Sequence, residues 1–463
     1  MDAPEQRRRK GTLKVDAAES LMAMANEEDP FAAGRDDLWD LQLQAASQRL
    51  AERRLQIPVL DQLASDRGID EITSLESMVP LLFADTVYKS YSEAFVDGGR
   101  WDLLTKWLAT LATPDFADLD LEGISGIDDW LDRLWKSGYR AMTSGGTSGK
   151  HSIYMESLAD EDFAHDVNRL ILGWELGLKP GAGRPCFLFN ASSGPYRGID
   201  IMNNIAKLIG RPGDTYHLMN EPMRAGDLNK MGRMHRSIAE GRATPSEVAE
   251  FEAEGKRQQE RMLSNVEGFL DKLFSFRHEP TLVMGNWGPT FQAVTQGHAR
   301  GIPDGDFHPD TVVFIGGGAK GSVLPPDFRA QMRTFFGIPD NQMHYGYGTS
   351  EIHGSMPACP EKRRPHCPPH VILLVLEKDG ESLAECVDGK VEGRAAFLDV
   401  SMDGRWGGLV GGDKVVADFN PCPCGRKSPT VDFVSRYSDL PEGDDKLSCS
   451  GTIEAYIRGH LTA

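Results

Sequence analysis

The sequence predicts an α/β fold, and three observations carry that prediction. Short apolar segments of strand length recur along the chain, helical stretches separate the earlier ones, and 40% of the 463 residues are hydrophobic, enough to bury a sizeable core. Strands that alternate with helices are typical of parallel βα units. The length suggests about three domain-sized units of roughly 150 residues each. The strand candidates are residues 186–189, 281–284, 311–315 and 371–376.

The first two segments of the chain differ in character. Residues 1–35 are polar and are predicted to form a loosely ordered tail. Residues 36–66 carry apolar side chains at helical spacing, beginning at Leu38 and continuing to Leu50, on a charged background. This spacing predicts helical structure over the second segment.

The most clearly marked helix begins after Thr244. Thr244 can serve as the N-cap, Pro245 suits the first helical position, and Glu247 completes a capping box. The highly charged segment that follows reaches about residue 260. We predict a helical insertion on the surface.

Charge and cysteine usage exclude several classes of protein. A formal net charge of −19 argues against nucleic acid or an anionic membrane as the main partner, because phosphate-rich surfaces favour lysine and arginine. The sequence has no apolar run of about 18 residues that would predict a transmembrane helix, and no apolar signal-peptide segment follows the basic run at 7–10. Seven unevenly placed cysteines indicate reduced thiols or a metal site rather than a disulfide framework. We therefore expect a cytoplasmic enzyme.

A run of hydroxyl and glycine residues is the most informative local pattern. Glycines allow backbone N–H groups to turn toward a phosphate, and hydroxyl groups add further donors. The run is not a Walker A loop, because that motif requires glycine where Ser144 stands and serine or threonine where His151 stands. A plain flexible loop is the alternative. The run consists of Thr143, Ser144, Gly145, Gly146, Thr147, Ser148 and Gly149.

A second glycine-rich segment follows the strand candidate at 311–315. It also satisfies the GxGxxG pattern of dinucleotide-binding folds. In such a fold the helix begins within the glycine motif, whereas Pro325 and Pro326 delay the predicted helix to about 327–336. The dinucleotide-binding alternative is therefore the less favoured one. The segment consists of Gly316, Gly317, Gly318, Ala319, Lys320 and Gly321.

Five segments, taken in order, resemble the motifs of the adenylate-forming (acyl- and aryl-CoA ligase) superfamily. That superfamily has a TSGTTG loop, a GGxxL loop on the adenine side, a YGxTE turn, a TGD element and a GRxxD hinge. The resemblance extends over about residues 75–455. The branch of phenylacetate-CoA ligase and LuxE acyl-protein synthetase is the most similar, because PCPCGR occurs at 421–426 and Ser152 stands where most of the superfamily has lysine. The matching segments are 143–149, 316–319, 347–351, 411–413 and 436–439.

The resemblance implies the large N-terminal domain of an adenylate-forming enzyme. It would contain two αβ subdomains, about 36–140 and 141–345, and a small β-rich subdomain at 346–435. Residues 436–463 would form the hinge and a stub of the C-terminal domain.

Family members continue past the hinge into a mobile lid that carries a lysine for adenylation, and no residue after Asp439 matches that lysine. We therefore expect the lid to be absent or vestigial. It has been removed, is supplied by a partner, or is dispensable. In the last case Lys150 is the first candidate for the catalytic cation.

The resemblance assigns the YGTSE turn to the phosphates of ATP. Adenylation brings a carboxylate against the α-phosphate and releases pyrophosphate, so negative charge must be neutralised. Glu351 would hold Mg²⁺, and Thr349 or Ser350 would contact the α-phosphate. Tyr347 and Gly348 would line the nucleotide pocket. A surface glutamate in a glycine-rich turn is the alternative.

Further positions complete the implied ATP site. Asp413 matches the aspartate that accepts hydrogen bonds from the ribose hydroxyls, although an aspartate after two glycines is also common in turns. Arg436 would complete the contacts to ribose and phosphate. The 316–319 loop would pass beside the adenine ring. Asp439 would mark the hinge, where SRYSD departs in spacing from the family's GRSDD.

Cysteine and histidine residues predict a structural zinc site. Three thiolates and one imidazole suit tetrahedral Zn²⁺. The phenylacetate-CoA ligase branch has a similar pattern, and some of its members hold zinc there. Cys367 and His370 are alternative ligands, and four reduced, partly buried residues without a metal are the alternative to a site. The predicted ligands are Cys359, His366, Cys422 and Cys424.

Aromatic residues near these motifs are candidates for the carboxylate pocket. A flat pocket walled by tryptophan and tyrosine would suit an aromatic or otherwise planar acid. Aromatic residues that simply fill the core are the alternative. The candidates are Trp135, Tyr139, Asn286, Trp287 and Tyr345.

Together these patterns predict an ATP- and Mg²⁺-dependent ligase that activates a carboxylic acid as its acyl-AMP. The acceptor would be CoA, a carrier protein or an amine, and the enzyme would act without nucleic acid or membrane, with a homodimer as one arrangement. One alternative is that the scaffold couples an unusual nucleophile in specialised biosynthesis. Another is a degenerate relative that binds nucleotide without turnover.

Overall fold

The computed structural model describes residues 16–144, 150–316, 323–440 and 447–462. The predicted site residues Gly145, Gly146, Thr147, Ser148 and Gly149 lie outside the described residues, as do Gly317, Gly318 and Ala319. The helices are α1 Ala17–Ala25, α2 Arg35–Arg53, α3 Pro58–Arg67, α4 Leu75–Met78, α5 Glu93–Asp97, α6 Trp101–Ala109, α7 Ile127–Lys136, α8 Leu158–Leu170, α9 Arg197–Ile209, α10 Ala225–Ala239, α11 Pro245–Ser275, α12 Trp287–Ala299, α13 Phe328–Phe336 and α14 Ser448–Thr462. The strands are β1 Phe83–Ala84, β2 Arg140–Thr143, β3 Ile153–Glu156, β4 Arg184–Ala191, β5 Gly210–Met219, β6 Leu282–Gly285, β7 Val312–Ile315, β8 Val371–Leu376, β9 Lys390–Asp399, β10 Gly408–Asp418 and β11 Thr430–Arg436.

A four-stranded parallel sheet forms the centre of one half of the molecule. Its strand order is β5-β4-β6-β7, and helices α9, α11 and α12 lie in the connections between the strands. From β4 the chain continues to β5, at one edge of the sheet, and from β6 it continues to β7, at the opposite edge. The switch point of the sheet therefore lies between β4 and β6, and ligands of such sheets bind beyond the carboxyl ends of the strands there.

Both faces of the parallel sheet are covered by apolar helices. Alternate residues of a strand point to opposite faces: Val283 packs with residues of α11, α12 and α13, whereas its neighbours Leu282 and Met284 pack with α9 and with the π-helical turn Ile171–Glu175. A sheet that is buried on both faces produces continuous apolar strands, which is why the sequence revealed β4, β6 and β7.

A five-stranded mixed sheet forms the second half. Its order is β1-β10-β9-β8, and β11 pairs with the second part of β10. This sheet shares one core with the N-terminal helices, the β2–β3 hairpin and α14. Residues from both ends of the chain therefore pack around the same strands.

The structure confirms the α/β fold class and each predicted strand, and it extends the predicted charged helix to Ser275. Three expectations change in detail. Part of the predicted tail is helix α1, in which Ala18 and Leu21 are fully buried. The segment 36–66 divides into two helices, because Pro58 starts a new helix at its first turn. Helix α14, in the predicted stub of the C-terminal domain, buries Ile453 in the mixed-sheet core.

Among the described residues, no helix combines the length and the apolar character required to cross a bilayer.

Candidate active site

The predicted phosphate loop connects two antiparallel strands, β2 and β3, rather than a strand and a helix. Its first residues are firmly held. The backbone N–H and the hydroxyl of Thr143 both donate to the carbonyl of Pro195, at 2.6 and 2.8 Å. Ser144 and Ser152 close the base of the loop, because each backbone N–H donates to an oxygen of the other residue at 3.1 Å. The structure therefore fixes both ends of the loop, while residues 145–149 lie outside the described part.

Two charged or titratable residues follow the loop. The ammonium group of Lys150 donates to the backbone carbonyl of Tyr91 and lies 4.6 Å from the centre of its ring. Burial lowers the pKa of Lys150. The ring of His151 contacts the carbonyl of Ser144 through Nδ1 at 2.7 Å, and since a carbonyl only accepts, Nδ1 carries the proton. The Lys150 contact fastens the start of β3 to the segment around Tyr91, and the His151 contact holds the two ends of the loop together.

The YGTSE turn is held by its own backbone and by a buried arginine. Tyr347 pairs with Met356 through two backbone hydrogen bonds of 2.9 and 2.6 Å. The hydroxyl of Thr349 donates to the carboxylate of Glu351. Arg405, which is only 2% exposed, donates to the backbone carbonyl of Glu351 at 2.8 Å. The turn therefore presents the Thr349 hydroxyl and the Glu351 carboxylate side by side.

Tyr347, Asp413 and Arg436 lie together although they are distant in sequence. The hydroxyl of Tyr347 donates to Oδ2 of Asp413 at 3.1 Å, and Arg436 Nε lies 3.4 Å from Oδ1 of the same carboxylate. Burial is the main cause that raises the pKa of Tyr347, and the charge of Asp413 adds to it. Tyr347 therefore remains a hydrogen-bond donor at neutral pH.

A β-bulge places Asp413 in this cluster. Between Val410 and Lys414, four steps along β10 oppose only two steps along β9, from Ala396 to Arg394. Asp413 lies within this irregular stretch and pairs on its other side with Arg436 of β11. Bulges occur beside active sites because they redirect a side chain without ending the strand.

The approach to the YGTSE turn depends on residues that the sequence did not indicate. The side chain of Glu175 is completely buried, and its carboxylate accepts from the backbone N–H of Tyr345 at 2.6 Å and lies 2.6 Å from Nδ1 of His344. The ring of His344 stacks on Phe314 of β7 at 4.3 Å. Gly346 follows, and a Cβ there would lie 2.5 Å from the His344 ring, so the approach requires glycine. The pattern that could have revealed Glu175 is a glutamate between the apolar residues Trp174 and Leu176.

Buried charged and aromatic side chains pack against the YGTSE turn on its interior side. Arg405 lies 5.0 Å from the ring centre of Tyr154 and 5.6 Å from that of Tyr88. Glu156 and Arg197 form an ion pair of 2.5 Å with exposures of 0% and 2%. These residues connect the hairpin β2–β3 to the backbone of Glu351.

Of the five predicted acid-pocket residues, Asn286, Trp287 and Tyr345 lie at one place and two lie elsewhere. Trp287 follows β6 after Asn286, the residue that precedes α12, and its ring meets Phe328 edge to face at 4.9 Å. Arg329 lies over both Trp287 and Tyr345, with 4.9 Å to each ring centre.

Trp135 and Tyr139 make their contacts around the hairpin instead. Trp135 donates to the carbonyl of Ala141 at 3.0 Å, and Tyr139 donates to that of Asp115 at 2.7 Å. Their part in an acid pocket stays a prediction.

The four predicted zinc ligands converge. One ligand atom from each of Cys359, His366, Cys422 and Cys424 lies within 4.8 Å of all the others. Cys359 and Cys422 have their sulfurs 4.0 Å apart, and the Cys424 sulfur lies 3.5 Å from Nε2 of His366. Tetrahedral Zn²⁺, with bonds of about 2.3 Å to sulfur and about 2.0–2.1 Å to nitrogen, requires roughly 3.8 Å and 3.6 Å for these separations. The arrangement therefore fits zinc with little movement.

The surroundings of His366 suit a metal ligand. Its Nδ1 lies 2.7 Å from the hydroxyl of Ser428, which orients the ring and leaves Nε2 directed at the cluster. Burial lowers the pKa of His366 to about 4, so the imidazole is neutral at pH 7. The rings of Phe31 and Trp174 pack against it at 5.7 and 5.6 Å.

The two alternative ligands lie outside the cluster. Cys367 donates its thiol hydrogen to the carbonyl of Val371 at 3.3 Å. Nε2 of His370 lies 3.1 Å from the carbonyl of His353. Both side chains are buried and have partners of their own, so the set with Cys359 and His366 is the one that the fold assembles.

Comparisons with known proteins were made by sequence and by structure. No protein-family model matches the sequence, and the search of curated proteins found no match. Solved structures of 2-hydroxyisobutyryl-CoA ligase do match. The open conformation in complex with 2-HIB-AMP and CoA matches at a TM-score of 0.55 and 12% identity, over 91% of this chain and 80% of that chain. The thioesterification state, also with 2-HIB-AMP and CoA, matches at 0.54 and 12%, over 89% and 70%.

At this level of identity the comparison establishes the fold. The chain has the fold of the large N-terminal domain of adenylate-forming ligases. The narrower resemblance to the phenylacetate-CoA ligase and LuxE branch stays a prediction.

Proposed function

We propose that this protein is an ATP- and Mg²⁺-dependent ligase that converts a carboxylic acid to its acyl-AMP and releases pyrophosphate. The observation that carries the proposal is the cluster of Tyr347, Asp413 and Arg436 at the turn that presents Glu351. These residues come from three separate elements, and each matches a motif position implied by the resemblance. The proposal includes the domain boundaries inferred from the resemblance, an adenylation domain at 36–435 and a hinge from 436, with helices α1 and α14 packed on the same core.

Asp413 and Arg436 would bind the sugar and phosphate of the nucleotide. The Asp413 carboxylate already accepts from Tyr347 and lies beside Arg436. A carboxylate has about four lone-pair sites on two oxygens, so further acceptance from the two ribose hydroxyls remains available. Arg436 approaches Asp413 through Nε, and the other N–H donors of its guanidinium group would contact the phosphates.

Glu351 would hold Mg²⁺. Its carboxylate and the Thr349 hydroxyl are adjacent oxygen donors, which is the donor type that this hard cation prefers. When bound, the ion would neutralise charge on the phosphates during displacement. Thr349 or Ser350 would donate to the α-phosphate, and the glycines and hydroxyls of the 143–149 loop would donate to the pyrophosphate that leaves.

The acid would enter beside Trp287 and Tyr345 and present its carboxylate to the α-phosphate. The carboxylate oxygen forms the new bond to phosphorus, and the bond between phosphorus and the bridging oxygen of pyrophosphate breaks. A thiol or amine then attacks the acyl carbon and AMP leaves. CoA is the acceptor that we favour, because the structures of similar fold hold CoA together with an acyl-AMP.

We further propose that the Cys359, His366, Cys422 and Cys424 cluster holds one structural Zn²⁺. The cluster joins the segment after the YGTSE turn to the connection between β10 and β11. The ion would fix these segments relative to each other and takes no part in the chemistry.

Exchange of labelled pyrophosphate into ATP, measured with a panel of aromatic and aliphatic acids, tests the proposal. We expect acid-dependent exchange in the wild type and its loss in Glu351→Gln, which keeps the size of the side chain and removes the charge. Glu385→Gln, at an exposed glutamate, is the control and should behave as wild type. ATP binding without exchange for any acid would identify a nucleotide-binding relative without turnover, and unchanged exchange in Glu351→Gln would remove Glu351 from the metal site.

A further inference from the structure

Arg329 lies where the elements around the proposed acid site meet. It belongs to the first turn of α13, and its Cζ is 4.9 Å from the ring centres of both Trp287 and Tyr345 and 5.6 Å from that of Phe328. Trp287 follows the carboxyl end of β6. Tyr345 follows Met343, which pairs with Val313 of β7. The guanidinium group therefore lies at the edge of the sheet where ligands bind in this class of fold.

The donors of this guanidinium group remain available to a ligand. Stacking on aromatic rings uses the faces of the group, whereas its five N–H donors lie in its plane. In the part of the chain that the structure describes, Arg329 forms no ion pair and is exposed to solvent. Arg333, one turn later on the same helix, differs because it pairs with Asp340 at 2.5 Å.

The packing of these helices does not depend on the charge of Arg329. Trp287 at the start of α12 meets Phe328 at the start of α13 edge to face at 4.9 Å. Deeper in the same interface, Phe335 of α13 is fully buried. Apolar contacts therefore hold α12 to α13 without any contribution from the charge of Arg329.

We propose that Arg329 binds a second anionic group of the acid substrate, so that the preferred substrates are planar dicarboxylic acids. A guanidinium fork matches the two oxygens of a carboxylate, and the rings on either side hold the plane of the fork in one orientation. The anion at Arg329 is distinct from the reacting carboxylate, which must lie at the α-phosphate. This inference rests on the proposed function, since it names the substrate class of the same site.

The test compares benzene-1,4-dicarboxylate with benzoate. Pyrophosphate exchange should give a KM for the dicarboxylate that rises about 10- to 100-fold in Arg329→Gln, as expected for a lost charge-assisted hydrogen bond, while the KM for benzoate changes less than about twofold. Arg329→Lys keeps the charge without the fork and should fall between wild type and Arg329→Gln. Arg333→Gln is the matched control and should leave both values unchanged. Melting temperatures check that each variant is folded.

Calorimetric titration with benzene-1,4-dicarboxylate separates this inference from the proposed function. Binding that depends on Arg329 in a protein without exchange activity would support the anion site and contradict the ligase activity. Three results would overturn the inference while the ligase proposal stands. The first is pyrophosphate exchange with monocarboxylic acids alone, and the second is an equal rise of KM for both acids in Arg329→Gln. The third is an effect of Arg329→Gln that is confined to the KM of the thiol acceptor.

Discussion

Removing one thiol of the cysteine–histidine cluster is the sharpest test of the proposed zinc site. The perturbation is Cys424→Ser, because Cys424 faces Nε2 of His366 at 3.5 Å. The observed separations, 4.0 Å between two sulfurs and 3.5 Å between sulfur and nitrogen, lie within about 0.2 Å of those that tetrahedral Zn²⁺ requires. The wild-type site therefore needs almost no rearrangement to bind, and loss of one ligand removes a large part of its affinity.

The expected size of the effect follows from linkage. Zinc at a free concentration 100-fold above its Kd stabilises the folded state by about 2.7 kcal/mol. One kcal/mol moves the melting temperature of a cooperative unit of 150–250 residues by about 2–4 °C. The cluster lies beside the mixed-sheet core, so Cys424→Ser should lower the melting temperature of that unit by roughly 5–11 °C.

Elemental analysis and thermal unfolding measure the two consequences. Wild-type protein purified without added metal should contain about one zinc per chain, as a single four-ligand site holds one ion, and Cys424→Ser should contain little. Cys386→Ser removes an exposed cysteine outside the cluster and should change neither quantity. Wild-type protein that is free of metal and melts at the same temperature with and without a chelator would refute the reasoning.

Three further predictions concern binding and stability. Asp413→Ala should weaken ATP binding by about 1.5–3 kcal/mol, because it removes a charged hydrogen-bond acceptor; isothermal titration measures it. Arg197→Met should destabilise the fold by about 3–5 kcal/mol, since it leaves the carboxylate of Glu156 buried without a partner. Gly297→Val should destabilise by at least about 1–3 kcal/mol, because even a Cβ there would lie 2.2 Å from the ring of Phe335. Urea titrations measure the last two.

Each of these variants has a matched control. Asp432→Ala removes an exposed carboxylate from the neighbouring strand and should leave ATP binding unchanged. Arg100→Met breaks an exposed ion pair with Asp102, and this loss should destabilise the fold by less than about 1 kcal/mol. Gly255→Val is in the open middle of α11 and should alter stability by only a few tenths of a kcal/mol, on the order of 0.5. A control variant that loses as much ATP binding or stability as the variant it is compared with would contradict the corresponding argument.

Local signals made part of the fold predictable. The strand Val371–Leu376 was predicted with its observed bounds, because an unbroken run of six apolar residues has the length of a buried strand and is too short for a buried helix. The start of α11 was predicted because the cap of Thr244 and Glu247 involves only adjacent residues. By contrast, β11 was not predicted, since Asp432, Phe433 and Val434 are exposed and its sequence carries no clear alternation.

The residues that the sequence did not reveal depend on distant partners. Glu175 binds a backbone group 170 positions later, and Arg405 binds one 54 positions earlier. No local pattern specifies such contacts. The cysteine cluster was predictable because thiols and imidazoles are rare and chemically specific, but excluding Cys367 required its observed hydrogen bond to Val371.

The bulge in β10 has a consequence for how this sequence can vary. Between Val410 and Lys414 the strand has two more residues than the opposing stretch of β9. Because side chains alternate along a strand, an even excess keeps the strand in phase on both sides of the bulge, whereas an odd one keeps later residues on their faces only if a further local distortion of the backbone compensates. In relatives of this protein we therefore expect insertions and deletions here to occur in pairs, with the number of residues maintained more strictly than the glycines themselves.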